Sequence, residues 1–186
     1  MIRCIYLISF FIAILLQPSC MSPGKDSPID PRESIDYASR LDSLGITLIS
    51  IQPPVANYVH LVQTGNLLFL AGKGPGLGDG TMVKGKIGQD LSQEEGYEAA
   101  RHVAINQISV LQDYLGDLNR VKRVVKVLGM VNCVDGFENQ PEVINGFSDT
   151  MVAVFGERGR HARSAVGMNA LPRNIAVEIE AIVEIY

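Results

Sequence analysis

Arg163 stands among small neighbours, with Ala162 before it and Ser164-Ala165-Val166 after it. It follows the polar stretch Gly156-Glu157-Arg158-Gly159-Arg160 and opens a β-type segment. A guanidinium held there offers a fixed fork of donors to a ligand carboxylate, against the plainer reading of a solvated arginine. Glu178 and Glu180 alternate with apolar residues and so share one face of a strand, ~6–7 Å apart. A proton-handling carboxylate pair and a solvated face both fit that spacing.

Other chemistries are disfavoured. His60, His102 and His161 form no i, i+4 pair, and Cys133 alone adds a thiol to the folding part, so no metal site is expected. Ser164 lies near His161 without an orienting carboxylate or a nucleophile elbow, which argues against a hydrolase triad. The run Gly72-Lys73-Gly74-Pro75-Gly76-Leu77-Gly78-Asp79-Gly80 lacks the dinucleotide spacing and opens no helix. Gly80 to Lys86 imitates a phosphate loop until Ile87, where a hydroxyl is needed. A flexible glycine turn is the expectation.

The elements that must position these residues are legible from periodicity and caps. Asp30-Pro31-Arg32-Glu33 predicts a helix start, with Ile35, Ala38 and Leu41 on one face and Gly45 as the stop. Tyr58–Val62 and Leu67–Ala71 flank Thr64-Gly65-Asn66 and read as a hairpin. Ser92 and Glu95 form a capping box, and Ala100, Ala104, Ile108, Leu111 and Leu115 stripe a long helix ended by Gly116. Val124 to Val134 reads as a strand. Pro141 opens a second long helix with Val143, Phe147, Met151 and Phe155 inward and Gly156 at its end. Ser164 to Ala170 and Ile175 to Ile185 are the last strands. The order ββ-α-β-α-ββ predicts an α+β fold with both long helices on one side of the sheet.

The 186-residue chain carries 16 basic and 20 acidic side chains, a net charge of −4, which gives no electrostatic footprint for nucleic acid. Its mean hydropathy of +0.17 is raised by the first residues. Arg3 precedes an uncharged run from Ile5 to Leu16, too short to span a bilayer and of the length of a secretory signal. Residues 1–19 are therefore expected to be a signal peptide. Leu16-Gln17-Pro18-Ser19-Cys20 is similar to a bacterial lipoprotein signal, which makes Cys20 the candidate lipidation site and plain secretion the alternative. Residues 20–29 are expected to be a flexible tether, residues 30–54 an N-terminal helix and lead-in, and residues 55–186 the main domain. The expected location is the periplasm or cell envelope, with any membrane contact made through the lipid.

Arg163-Ser164-Ala165-Val166, Leu171-Pro172 and Val177-Glu178-Ile179-Glu180-Ala181-Ile182 together resemble the C-terminal signature of the RidA family, also called YjgF or L-PSP endoribonuclease-like. Tyr58, Thr64-Gly65-Asn66, Leu70-Ala71-Gly72 and Gly74-Pro75 follow the order of that family's opening hairpin. Gly116-Asp117-Leu118 and Val143-Ile144-Asn145-Gly146-Phe147 continue it. The resemblance implies a chorismate-mutase-like mixed β-sheet with two long helices packed on one face. It also implies a homotrimer with pockets between subunits, and hydrolysis of amino-acid-derived enamines and imines to 2-oxo acids and ammonia. By position, Arg163 would clamp the substrate carboxylate and Glu178 would handle water and protons, with no metal or organic cofactor. Tyr58, Ala71, Asn145 and Ala165 would line the pocket. Ala71 stands where many members have serine, Ala165 where many have cysteine and Asn57 where proline is common. These departures keep a non-catalytic, trimeric binder of small carboxylates as the alternative. An endoribonuclease, the family's older name, is disfavoured by the acidic charge and the lack of a catalytic histidine pair.

Overall fold

The computed structural model describes residues 34–54 and 56–186. The expected signal peptide (1–19), the tether, Cys20 and the Asp30–Glu33 cap lie outside the described residues.

The first described helix, α1 (Tyr37–Ser43), begins at a different aspartate from the one expected. Asp36 caps it, accepting from the backbone N–H of Ser39 at 3.0 Å and from its hydroxyl at 2.7 Å. Ile35 is not helical, because the side chain of Asn119 bonds its N–H at 2.8 Å and its carbonyl at 3.0 Å. The inward face is accordingly Tyr37 and Leu41, while Ala38 is exposed.

Strands β1 (Leu61–Thr64) and β2 (Leu67–Lys73) pair antiparallel around the two-residue loop Gly65-Asn66. Gly65 takes φ +57°, the left-handed value that such a tight loop requires at its first position. Tyr58 and Val59 stay outside the strand, contrary to the expected hairpin limits. The glycine-rich segment after β2 folds back on itself, with Leu77 N–H bonded to Thr81 O at 3.0 Å and Val83 N–H to Pro75 O at 3.1 Å.

Helix α2 (Gln93–Leu115) has the expected reciprocal capping box between Ser92 and Glu95, and Gly116 ends it at φ +73°. Strand β3 (Val121–Asn132), helix α3 (Gln140–Phe155), strand β4 (Ala162–Met168) and strand β5 (Val177–Ile185) follow. The sheet order is β1-β2-β5-β3-β4, with β3 and β4 parallel and every other pair antiparallel.

Both β2 and β3 run antiparallel to β5, so they are parallel to each other. Helix α2 therefore crosses between parallel strands, as α3 does between β3 and β4. Two crossovers of the favoured right hand, made in the same direction along a sheet, lay their helices on the same face. The core forms there: Val177, Ile179, Ala181, Val183 and Ile185 of β5 are buried beneath Ile108 and Leu111 of α2 and Ile144, Phe147 and Met151 of α3. The helices touch so closely at Gly146 that a Cβ there would overlap the carbonyl of Tyr97. At Gly129 a Cβ would meet Ile144 at 2.7 Å. The expected α+β architecture, with both long helices on one face, is present.

Candidate functional site

Arg163 sits in β4 opposite Val127 of β3, which is fully buried, so its side chain leaves the sheet on the helix-covered face. Helix α3 receives it. Arg163 Nη1 donates to Asn145 Oδ1 at 2.9 Å and to Ser148 Oγ at 3.0 Å. Asn145 and Ser148 are three residues apart on α3 and so face the strand together.

Behind them lies His161, two residues before Arg163 and on the same side of the chain. Its Nδ1 is 2.7 Å from the carbonyl of Gly159, which can only accept, so Nδ1 carries the proton. Nε2 then accepts from the Ser148 hydroxyl at 3.0 Å. The donors run in one direction, from Arg163 to Ser148 to His161 to Gly159. Burial lowers the His161 pKa despite the opposing bond to Gly159 O, and the Arg163 charge lowers it further, so the imidazole is held neutral, as this relay requires. Among the described residues no partner reaches Nε or Nη2 of Arg163. That leaves the side-on edge of the guanidinium unspent, the edge that grips a carboxylate with two parallel bonds.

Ser148 and His161 are missed as support for Arg163 by sequence reasoning, which examines His161 with Ser164. Ser164 instead points to the opposite face, where its hydroxyl takes a bond from Lys126 Nζ at 2.9 Å. Ala165 follows Arg163 on the helix side and packs against the core.

Glu178 belongs to the other face. It pairs with Met130 between Val177 and Ile179, both fully buried toward the helices, so its carboxylate lies on the uncovered side of the sheet. It folds over Gly72, where a Cβ would collide with Oε1. A side chain at position 72 would force Glu178 to move. Among the described residues no donor bonds its carboxylate. Burial raises its pKa, and the Glu180 carboxylate adds to the rise. Ala71 sits beside Gly72, with its N–H on His60 O at 2.9 Å and its carbonyl on Gln107 Nε2 at 3.0 Å. Tyr58 precedes β1 and is half exposed.

The sheet thus separates the candidates. Arg163, Asn145 and Ala165 lie on the helix side of the β4 edge, and Glu178 lies on the open face. One chain does not bring Arg163 and Glu178 into one pocket. Among the described residues no cluster of three or more His, Cys, Asp or Glu side chains is placed to hold a metal.

Residues 38–185 match a family model described as "YjgF/chorismate_mutase-like, putative endoribonuclease". The chain belongs to the YjgF/chorismate mutase-like family. Among its YjgF-family relatives, the Protein TCP17 of Trypanosoma cruzi is 45% identical over 149 residues, covering 80% of this chain and 93% of that protein. The Agrobacterium tumefaciens protein Atu1372, a crystal structure of unknown function, is 43% identical with a TM-score of 0.74, covering 81% of this chain and 93% of that one. A Shewanella oneidensis protein described as "a putative endoribonuclease" is 29% identical with a TM-score of 0.77, over 80% and 99% of the two chains. The YjgF match begins inside α1 and includes every candidate pocket residue from Tyr58 to Glu178.

Proposed function

We propose that this protein hydrolyses imines or enamines derived from amino acids, at a site shared between copies of the chain. The observation that carries this reading is the Arg163 guanidinium, fixed through Nη1 by Asn145 and Ser148 while its side-on edge stays free. A 2-imino acid has a carboxylate to fill that edge. Its imine carbon then sits at a set distance from whatever the neighbouring copy presents.

Glu178 is the residue a neighbour would bring, from the open face of its sheet. A carboxylate with a raised pKa and no internal donor accepts a proton from an attacking water. The water oxygen bonds to the imine carbon, the nitrogen takes up the protons, and the C–N bond breaks. Imino acid and water become 2-oxo acid and ammonia, with no oxidant or metal in the balance. Holding the clamp and the water on rigid strands replaces a chance encounter by an oriented one. A homotrimer, with each site between adjacent copies, is the arrangement proposed from the family resemblance.

A second reading has its own support. Ala71 and Ala165 supply no polar side chain, which suits a module that binds a small carboxylate without turning it over. Turnover of 2-iminopropionate, measured as ammonia release and abolished in Arg163→Ala, supports the hydrolase. Calorimetric binding of a 2-oxo acid without turnover supports the binding module, and the absence of both turnover and binding overturns both readings.

We further propose export, with lipidation at Cys20. Membrane partitioning that is lost in Cys20→Ala supports this, and a soluble cytosolic full-length product refutes it.

A further inference from the structure

The function proposed above leaves unused a cavity of about 250 Å³ between the lead-in segment, the glycine-rich fold-back and α2. Its walls include Ile49, Ile51, Met82 and Asn106, and Lys73 and His60 project into it. It is a built site. The lead-in is fixed by Ile49 N–H on the buried hydroxyl of Ser109 at 3.0 Å. Ile49 rests on Gly78, where a Cβ would approach it to 2.9 Å. Asn106 Nδ2 ties down the carbonyls of Gly74 and Gly76 at 3.1 and 3.2 Å. Asn106 is only 6% exposed, and its Oδ1 has no partner. Turning the amide over would set that oxygen against two carbonyls, so the amide is fixed in this orientation.

Lys73 is the last residue of β2, paired with Ile179 beyond a bulge, and it is half buried. Among the described residues no carboxylate meets its amine. Its partner is His60, whose Nδ1 is hydrogen-bonded to Lys73 Nζ. His60 Nε2 is 2.7 Å from the carbonyl of Gln52, so Nε2 carries the ring proton and Nδ1 turns a lone pair toward the lysine. An amine without a counter-ion, beside an imidazole lone pair in a partly apolar cavity, is the arrangement of a nucleophilic lysine with its own base. Desolvation lowers the Lys73 pKa, in the same direction.

We infer that Lys73 captures small uncharged aldehydes or ketones as a Schiff base, with His60 as the proton carrier. Nζ attacks the carbonyl carbon, a C–N bond forms and the carbonyl π pair moves to oxygen. His60 Nδ1 takes one proton from Nζ and passes it to the alkoxide, giving a carbinolamine. It then takes the second Nζ proton and passes it to the hydroxyl, which leaves as water as the C=N bond closes. No oxidant or reductant is needed. The ligand is uncharged because Lys73 is the one charged side chain in the cavity lining. Once it has become an imine, nothing there balances a carboxylate. This site is independent of Arg163 and Glu178, and each proposal stands without the other.

The test treats the full chain at pH 7 with propanal and cyanoborohydride, which fixes any imine as a propyl-lysine, and follows each lysine by peptide mass spectrometry. Lys73 is expected to be labelled at least about tenfold faster than exposed Lys84, because His60 is placed to take its proton as a general base. The rate at Lys73 should fall in His60→Gln, and its pH midpoint in the native chain should lie below the ordinary lysine value. Propanal should outpace pyruvate at Lys73. Labelling of Lys73 no faster than Lys84, a native rate in His60→Gln, or a preference for pyruvate would each overturn the assignment. The first of these is read on the unaltered protein, so a misfolded variant does not shield the idea.

Discussion

Arg163 does its proposed work through two edges of one planar group, and lysine has no such division. Arg163→Lys keeps the charge but loses either the anchoring bonds to α3 or the paired grip on substrate. Imine hydrolysis should drop about 100-fold in kcat/KM, the equivalent of ~2.7 kcal/mol of charge-assisted bonding, with the loss read in steady-state kinetics. Glu178 acts as a base only when ionised, so the rate should rise with pH through its pKa, which burial and the Glu180 charge hold above the ordinary glutamate value. Glu180→Gln removes the second cause. The acid limb of the pH–rate profile should therefore move to lower pH, and an unmoved limb would exclude Glu178 as the titrating group. Arg163 and Glu178 were singled out as candidates because each sits in a short run of distinctive neighbours. Ser148 and His161 were not, since their roles depend on α3 docking beside β4, a contact between positions that no local pattern links.

At the scale of elements, glycines divide into those needed for space and those needed for backbone conformation. Gly146 is helical and faces the α2 backbone, so Gly146→Ala should cost about 3 kcal/mol as the helices are forced apart. Gly116 has open space around it but a left-handed backbone, so Gly116→Ala should cost only about 1 kcal/mol. Urea unfolding of the two variants separates these values, and equal losses would contradict the close contact. Both long helices were readable because their caps lie within a few residues of their apolar stripes. Helix α1 was misread for the opposite reason. Its start is set at Asp36 by Asn119, which holds Ile35 out of the helix from across the chain.

For the whole molecule, the decisive feature is that the sheet stands between Arg163 and Glu178. If the site is shared, inactive Arg163→Ala and inactive Glu178→Gln chains should regain activity when unfolded together and refolded as a mixture. Each mixed assembly then pairs an intact arginine from one copy with an intact glutamate from another. A mixture that stays inactive while co-assembling would overturn the shared site. The layer order and helix side were legible from the order of elements alone, because handed crossovers leave few alternatives. The separation of the two candidates was not, since it follows from the strand register that sets Arg163 opposite Val127 and Glu178 opposite Met130.

The position of β5 also bears on when the protein acquires its shape. It lies in the middle of the sheet yet emerges after every other strand. During synthesis the β1–β2 hairpin and the β3–β4 pair have no ladder joining them until Val177–Ile185 is available. Folding of the sheet is thus deferred until β5 has emerged, and the two strand pairs stay unjoined through the synthesis of everything between them.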